Sequence, residues 1–233
     1  MLNNLKQDLE RLANKEKAVI LQRFFKTGKG EYGHGDLFLG ITVPEQRRIA
    51  KKYSRLSLDD LQSLLSSKIH EYRLTSLLIL IEKYKNVDKK EVVDFYLRNT
   101  KNINNWDLVD LSSHKILGNY LLNKDKNILY KLAKSNDLWK KRISIISTFA
   151  FIRNSDFDCS LKISEILLND KHDLIHKAVG WMLRELGKRN LKVEEEFLKK
   201  YYKKMPRTML RYAIEKFSKE KRYYYLNSWF FLK

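Results

Sequence analysis

Apolar residues recur at every third or fourth position along most of the chain, and polar clusters interrupt them after each dozen or so residues. In HEYRLTSLLILIEKYK, for example, Leu74, Leu78 and Ile81 share one side of a helix. The pattern therefore predicts a series of helices joined by short turns. The predicted helices lie near residues 4–13, 15–27, 44–54, 57–66, 69–85, 88–99, 104–122, 125–135, 137–152, 156–168, 172–190, 193–203, 206–217 and 219–228.

The predicted helices alternate between short and long, with a weak period of about 35 to 40 residues. This is typical of HEAT or armadillo-like helical-repeat solenoids, whose inner helices form a concave groove. We therefore predict an all-α, single-domain repeat protein over 1–233, with a basic groove wide enough for a duplex. Residues 215–233 form its C-terminal cap or tail.

One segment does not follow the helical pattern. TGKGEYGHGDLFLGITVPEQ, residues 27–46, contains five of the eight glycines. It lacks the GxxxxGK[ST] order of a phosphate-binding loop, and no predicted strand precedes it. We expect a structured loop that turns the chain, and no nucleotide cofactor.

Composition supports this helical interpretation. Eight glycines and two prolines are too few for the many hairpins of a β-sandwich or barrel. The single cysteine, Cys159, excludes an internal disulfide framework, which fits a reducing compartment. No segment approaches the roughly 18 apolar residues of a membrane span. We expect a monomeric, cytoplasmic, nucleoid-associated protein that does not use a membrane.

The charge of the chain indicates a polyanionic partner. There are 47 Lys and Arg against 28 Asp and Glu, a net charge of +19. Nucleic acid, an anionic membrane surface and an acidic protein all fit this charge. The segment WDLVD, residues 106–110, is unexpected in such a chain, because its two carboxylates would repel a phosphate backbone.

Two predicted helices place a charge inside an apolar line. Asp110 lies in line with Trp106 on the helix from 104, whereas Asp107 lies about 60° away and complements the helix dipole. Arg142 lies within the apolar line of the helix from 137. Two interpretations stay open: Trp106 fills a core and Asp110 pairs with Arg142 as a structural clamp, or these residues form a functional site.

A third helix, from 172, places Trp181 apart from its apolar face. The indole shares a line with three cations and is expected to be exposed, so that something docks on it. The alternative is an ordinary solvated face. The three cations are Lys177, Arg184 and Lys188.

Other signals predict no further chemistry. His172 and His176 have the spacing of a metal-ligand pair but lack a third ligand, so we expect no metal. Cys159 is expected to be inert. The aromatic, basic tail KRYYYLNSWFFLK is expected to cap the last repeat.

Four segments together resemble one family. EYGHGDLFLGITVPEQRRIAKKY, NNWDLVD, LWKKRISII and IHKAVGWMLRELGKRN are similar, in order and spacing, to segments of the AlkD-type DNA alkylation repair glycosylases. These are HEAT-like proteins, and the resemblance spans about residues 20–217. It implies excision of N3- and N7-alkylated purines from duplex DNA, in base excision repair, with no metal or redox cofactor.

By position, the resemblance implies that Asp110 is the catalytic carboxylate, Trp106 and Trp181 face the lesion, and Arg142 holds the DNA backbone. It further implies that the base is not flipped into a deep pocket. The chain departs from the family pattern at Phe24, which stands at the lesion site where the best-known members have a tyrosine. It also departs at Asn105, which replaces a second aromatic residue.

The sequence therefore predicts a DNA glycosylase for 3-methyladenine and 7-methylguanine. In this interpretation Lys177, Arg184 and Lys188 join Arg142 in binding the DNA backbone, and Phe24 joins the lesion-binding aromatics. The alternative is a non-catalytic HEAT-like protein that holds damaged or branched DNA.

Overall fold

A computed structural model describes residues 1–227 of the chain. The chain forms two compact units, unit 1 (Met1–Ile116) and unit 2 (Leu117–Lys233). Residues 1–227 contain helices and one isolated parallel bridge, between Leu37 and Ile69, and no strand. The all-α class is as predicted, while the single domain over 1–233 and its concave groove stay predictions. The last part of the predicted cap, residues 228–233, lies outside the described residues.

Helical structure occurs in each predicted segment, with changes at the ends and an internal break in two of the segments. The helices of unit 1 are α1 (Leu2–Arg11), α2 (Lys15–Phe24), α3 (Val43–Lys52), α4 (Leu58–Leu65), α5 (His70–Lys83), α6 (Lys89–Arg98) and α7 (Trp106–Ser112). Those of unit 2 are α8 (Asn127–Ala133), α9 (Leu138–Ser147), α10 (Phe149–Arg153), α11 (Asp158–Ile166), α12 (Asp173–Gly187), α13 (Leu191–Tyr201), α14 (Arg207–Ala213) and α15 (Lys219–Asn227). Short 3-10 turns cover Thr100–Asn102 and Ile214–Lys216.

The predicted helix over 104–122 is much shorter in the structure. Its α-helical part ends at Ser112, and a single π-helical turn follows at His114–Gly118. The Ser112 hydroxyl donates to the Leu108 carbonyl oxygen at 2.5 Å. Such a bond from a serine side chain competes with the regular ladder and bends helices.

A hydroxyl also marks the break in the predicted helix over 137–152. The Thr148 hydroxyl donates to the Ile145 carbonyl oxygen at 2.7 Å, and α9 stops one residue earlier, at Ser147. α10 then continues the chain from Phe149. Both breaks lie inside apolar stripes, so the spacing of apolar residues did not reveal them.

Unit 1 is built around α5, which packs against α3, α4 and α7. All of its residues from His70 to Ile81 are buried. A helix buried on every side must have neighbours on every side, which makes α5 the central element of the unit. By contrast, α2 buries none of its ten residues and leaves Val19, Ile20 and Phe24 exposed.

The glycine-rich loop is tied to the start of α5. Leu37 bridges Ile69, and the buried Glu71 carboxylate accepts backbone N–H bonds from Leu39 at 2.9 Å and Gly40 at 2.8 Å. Gly40 has φ +84°, and an added Cβ there would lie 2.1 Å from the Asn14 carbonyl oxygen, so the position requires glycine. The loop is structured, as predicted, and is held rigidly against the unit 1 core.

Unit 2 is built around α12, which packs against α9, α13 and α14. A Cβ added to Gly180 would lie 2.4 Å from the Met209 carbonyl oxygen, so glycine permits the close approach of α12 and α14. The apolar face of α12 includes Ile175, Val179 and Met182, all fully buried. Among residues 1–227 no helix is long and apolar enough to cross a membrane.

Candidate functional site

The start of α7 presents the first group of candidate residues. Asn105 caps this helix, because its side-chain oxygen accepts the Trp106 N–H at 2.8 Å. Trp106 and Asp110 are half-buried and lie one turn apart on the same side, while Asp107 between them is buried. Asn105, at which the chain departs from the family pattern, therefore serves as the N-cap of α7.

Trp106 packs within a cluster of aromatic rings in unit 1. Its indole stacks on Phe25, with ring centroids 5.0 Å apart and planes 18° apart. Phe24 meets the indole edge-on at 5.7 Å. Phe24 is 62% exposed, which is unusual for a large apolar side chain. The structure thus brings together two of the predicted lesion-binding residues.

The Asp110 carboxylate lies near the buried phenol of Tyr96. The Tyr96 hydroxyl lies 3.0 Å from the Ser112 hydroxyl and is fully buried. Burial raises the pKa of Tyr96, and the negative charge of Asp110 adds to that rise. Asp110 is therefore backed by a neutral phenol and is not sealed inside the unit.

A buried charge network lies beside the start of α7, and the sequence did not reveal it. His70 Nε2 lies 2.8 Å from Asp107 Oδ2, and its Nδ1 lies 3.4 Å from Asp36 Oδ2. The Arg73 guanidinium donates to the same Asp36 oxygen. The sequence predicted that Asp107 complements the helix dipole. In the structure Asp107 also binds the buried His70.

The charge state of His70 follows from these neighbours. Burial disfavours its charged form, but the adjacent Asp107 carboxylate overrides that cost, and the pKa of His70 is raised to about 9. His70 is therefore an imidazolium at neutral pH. Its ring stacks on Phe38 at 4.5 Å between centroids, and Phe38 stacks on Phe25 at 5.1 Å.

A largely apolar cavity of about 240 Å³ opens beside this network, within unit 1. His70, Glu71 and Asp107 contribute to its lining. Its apolar lining includes Ile20, Leu21, Phe24, Phe25, Phe38 and Ile41. Two of the exposed apolar residues of α2, Ile20 and Phe24, therefore line a cavity.

The second group of candidate residues is on α12 in unit 2, and it differs from the expectation. Trp181 is half-buried, with its ring centroid 6.1 Å from that of Phe149. Its indole N–H donates to Glu185 at 3.3 Å. The sequence predicted an exposed indole among cations, but a buried carboxylate one turn away balances them.

The three cations of α12 all have acidic neighbours. Lys177 lies 2.8 Å from Asp173, Lys188 lies 2.6 Å from Glu185, and Arg184 is paired with Glu215. Asp173 and Glu185 are within one helical turn of their partners, whereas Glu215 comes from another part of the chain and could not be found from helical geometry. The α12 surface is thus a mixed ionic surface, and its cations are already oriented by carboxylates.

Arg142 is buried on α9, as its position in an apolar line suggested. Its guanidinium donates to the Leu174 carbonyl oxygen, in the first turn of α12. Asp137 caps α9 by accepting the Trp139 and Lys140 N–H groups, which fixes the helix on which Arg142 stands. Arg142 therefore joins α9 to α12 within unit 2.

The histidine pair of α12 has structural partners. His172 caps the helix by accepting the Leu174 N–H at 3.1 Å, and His176 Nε2 lies 2.5 Å from the Asp170 carbonyl oxygen. Among residues 1–227 no group of three or more His, Cys, Asp or Glu side chains is placed to hold a metal ion. Cys159 is buried, and burial raises the pKa of its thiol.

Comparison with known proteins identifies the family. The family model described as DNA alkylation repair enzyme matches residues 5–217, nearly the whole chain. The chain belongs to the DNA alkylation repair enzyme family. Membership assigns this protein to the repair of alkylated DNA and agrees with its excess of basic residues. No curated protein matches the chain significantly.

A solved structure is similar to this DNA alkylation repair family member throughout its length. It is described as a predicted DNA alkylation repair enzyme from Enterococcus faecalis. The two share 20% sequence identity with a TM-score of 0.70, over 89% of this chain and 97% of the other. At this identity the similarity establishes the fold.

Proposed function

We propose that this protein is a DNA glycosylase that excises cationic N3- and N7-alkylated purines, such as 3-methyladenine and 7-methylguanine, from duplex DNA. The observation that supports this best is the pair of half-buried residues Trp106 and Asp110, one turn apart on α7. A partly exposed carboxylate is out of place in a general DNA-binding surface. It suits a site at which the bound substrate carries or develops positive charge.

The charge of an alkylated purine already makes it a good leaving group. Alkylation at N3 or N7 leaves the purine positively charged, so it departs readily. As the bond from C1′ to N9 breaks, its electron pair moves to the base, which leaves as a neutral molecule. Positive charge then develops on the deoxyribose, and the Asp110 carboxylate stabilises it.

Water completes the reaction. It attacks C1′ of the sugar, and its proton passes to the Asp110 carboxylate, which acts as a general base. The products are a neutral alkylpurine, an abasic site and a proton. No oxidant, metal or nucleotide is needed to balance this step.

The aromatic residues favour a cationic lesion over an ordinary base. The faces of Trp106 and, from unit 2, Trp181 attract cationic rings and polarised sugar C–H groups. Phe24 offers the exposed apolar surface beside Trp106. We propose that Trp106 and Phe24 recognise the lesion from the backbone side, without flipping it into a deep pocket, and that Trp181 offers an aromatic face on unit 2.

The backbone contacts come from unit 2. Arg142, Lys177, Arg184 and Lys188 would bind phosphates without regard to sequence. Because Asp173, Glu185 and Glu215 already contact the last three cations, a phosphate must share or replace those partners. Binding should therefore weaken steeply as salt concentration rises.

A base-release assay tests the proposal. The purified protein is incubated with duplex DNA containing 7-methylguanine, and the free bases are separated by chromatography. We expect released 7-methylguanine and abasic sites, with no effect of EDTA. Tight binding to alkylated or branched DNA without any released base would support the non-catalytic alternative instead.

A further inference from the structure

We propose that His70 is a positioning residue for Trp106 and Asp110. It binds the start of α7 through Asp107 and lies beneath the aromatic rings that support the indole. This inference deepens the proposed function, because it concerns the same site, but the conformational part of it can be tested without any enzyme activity.

Two independent sets of contacts join His70 to the lesion-facing end of α7. The first is the contact of 2.8 Å between His70 Nε2 and Asp107, the residue that follows Trp106. The second is a series of rings, in which His70 stacks on Phe38 and meets Phe25 at a tilt of 33°, and Phe25 stacks on Trp106. A movement of the imidazole would therefore reach the indole through both routes.

The network around His70 is rigid because it is buried and charged. His70 is 2% exposed, and Asp36 and Arg73 are each 5% exposed. The charged groups near the imidazole are Asp107 of α7, Asp36 of the glycine-rich loop and Arg73 of α5, while Lys17 of α2 and Glu71 of α5 line the adjoining cavity. Removing one member of such a network leaves another charge buried without its partner.

The short length of α7 makes this anchor important. The helix has seven residues and gives way to a π-helical turn, so few of its own hydrogen bonds fix its direction. Its first turn is held by the Asn105 cap and by the bond between Asp107 and His70. Asp110 lies one turn further along, and its carboxylate therefore depends on the same anchor.

Fluorine NMR of Trp106 tests the inference directly. The full-length protein is labelled with 5-fluorotryptophan, and the Trp106 resonance, one of four from the chain's tryptophans, is assigned by its loss in Trp106→Phe. We expect this resonance in the wild-type protein to move as the pH rises, with a midpoint near 9, where His70 loses its proton. Circular dichroism at each pH confirms that the protein stays folded.

Two variants and a control define the outcome. In His70→Gln the Trp106 resonance should be displaced at neutral pH and should no longer titrate, and Asp107→Asn should remove the same titration. His34→Gln, a change of an exposed histidine, should behave as the wild type. If the wild-type resonance does not move while His70 titrates, the inference is wrong, whether or not the variants fold.

Activity separates this inference from the proposed function. In His70→Gln we expect kcat for 7-methylguanine release to fall about tenfold or more, with the Kd for DNA changed little. Titration of Trp106 without any excision by the wild type would retain the positioning role and refute the glycosylase. Normal excision by the wild type and by His70→Gln, with an unchanged Trp106 resonance, would refute the positioning role and retain the glycosylase.

Discussion

His70 Nε2 lies 2.8 Å from Asp107 Oδ2, although 37 positions separate the two residues in the chain. This contact explains the two carboxylates of WDLVD. Asp107 turns inward and is neutralised by a buried imidazolium, whereas Asp110 is half-buried one turn beyond Trp106. The two acids thus have separate environments, and Asp110 is the one that we propose as the catalytic carboxylate.

Raising the pH should lower the free energy of unfolding, because His70 loses its proton. The pKa of His70 is about 9 in the folded protein, above the ordinary 6.5, so its bound proton contributes stability that is complete below pH 6.5 and is lost as the pH rises through 9. The loss should amount to roughly 3 kcal/mol in the free energy of unfolding. Urea denaturation at a series of pH values measures it.

The control for this loss is His70→Gln. Its free energy of unfolding should be lower than that of the wild type at pH 6, and the difference should shrink toward pH 10. A constant difference across this range would show that His70 does not change its charge there.

Glu194 in unit 2 should destabilise the protein as the pH rises. It is buried, and its Oε1 has no hydrogen-bond partner among residues 1–227. Burial, together with the neighbouring Glu195, raises the pKa of Glu194 from 4.5 to about 8. The unfolded chain therefore releases this proton first, and stability falls between those two pH values.

Glu194→Gln removes that penalty. At pH 8 or above we expect a higher melting temperature than in the wild type, and near pH 4 no increase. The exposed Glu196, changed to glutamine, is the matched control and should give no pH-dependent gain. Equal effects of both variants would show that overall charge, not burial, is responsible.

The sequence predicted more of the fold than of the candidate site. Helical spacing identified every helical segment of residues 1–227, although it joined α9 and α10 into one helix, since apolar periodicity is a local property. It did not identify the breaks at Ser112 and Thr148, where a hydroxyl bonds the backbone inside an apolar stripe. It likewise missed the His70 network, because its members come from three segments that only folding brings together.

The basic face of α12 shows a second limit of sequence reasoning. A helical projection places Trp181 in line with Lys177, Arg184 and Lys188, and it is correct about that line. It does not show Glu215, which contacts Arg184 from another part of the chain. It also does not show that Glu185 is buried between the indole and Lys188 and contacts both.

Phe24 should contribute to lesion recognition and hardly at all to stability. Because its side chain is 62% exposed, Phe24→Ala should change the free energy of unfolding by less than about 1 kcal/mol. The rate of 7-methylguanine release should nevertheless fall, since the surface beside Trp106 is lost. Val19→Ala, on the same helix and 51% exposed, is the control and should leave both quantities unchanged.

The helix α2 should open more often than the rest of unit 1. It buries none of its residues, whereas α5 buries every residue from His70 to Ile81. Amide hydrogens that few buried contacts protect exchange through local opening. Hydrogen exchange followed by mass spectrometry should show α2 exchanging much faster than α5, and equal protection of the two helices would contradict the packing described.

Replacing Asp110 by asparagine tests the central claim most directly. Asp110→Asn keeps the size of the side chain and removes its charge, and Asp59→Asn, an exposed position on α4, controls for net charge. Single-turnover release of 7-methylguanine and DNA binding are measured for both. We predict that Asp110→Asn binds alkylated duplex as the wild type does and releases no base, while Asp59→Asn does both normally. Release by Asp110→Asn at the wild-type rate would contradict the catalytic role of Asp110.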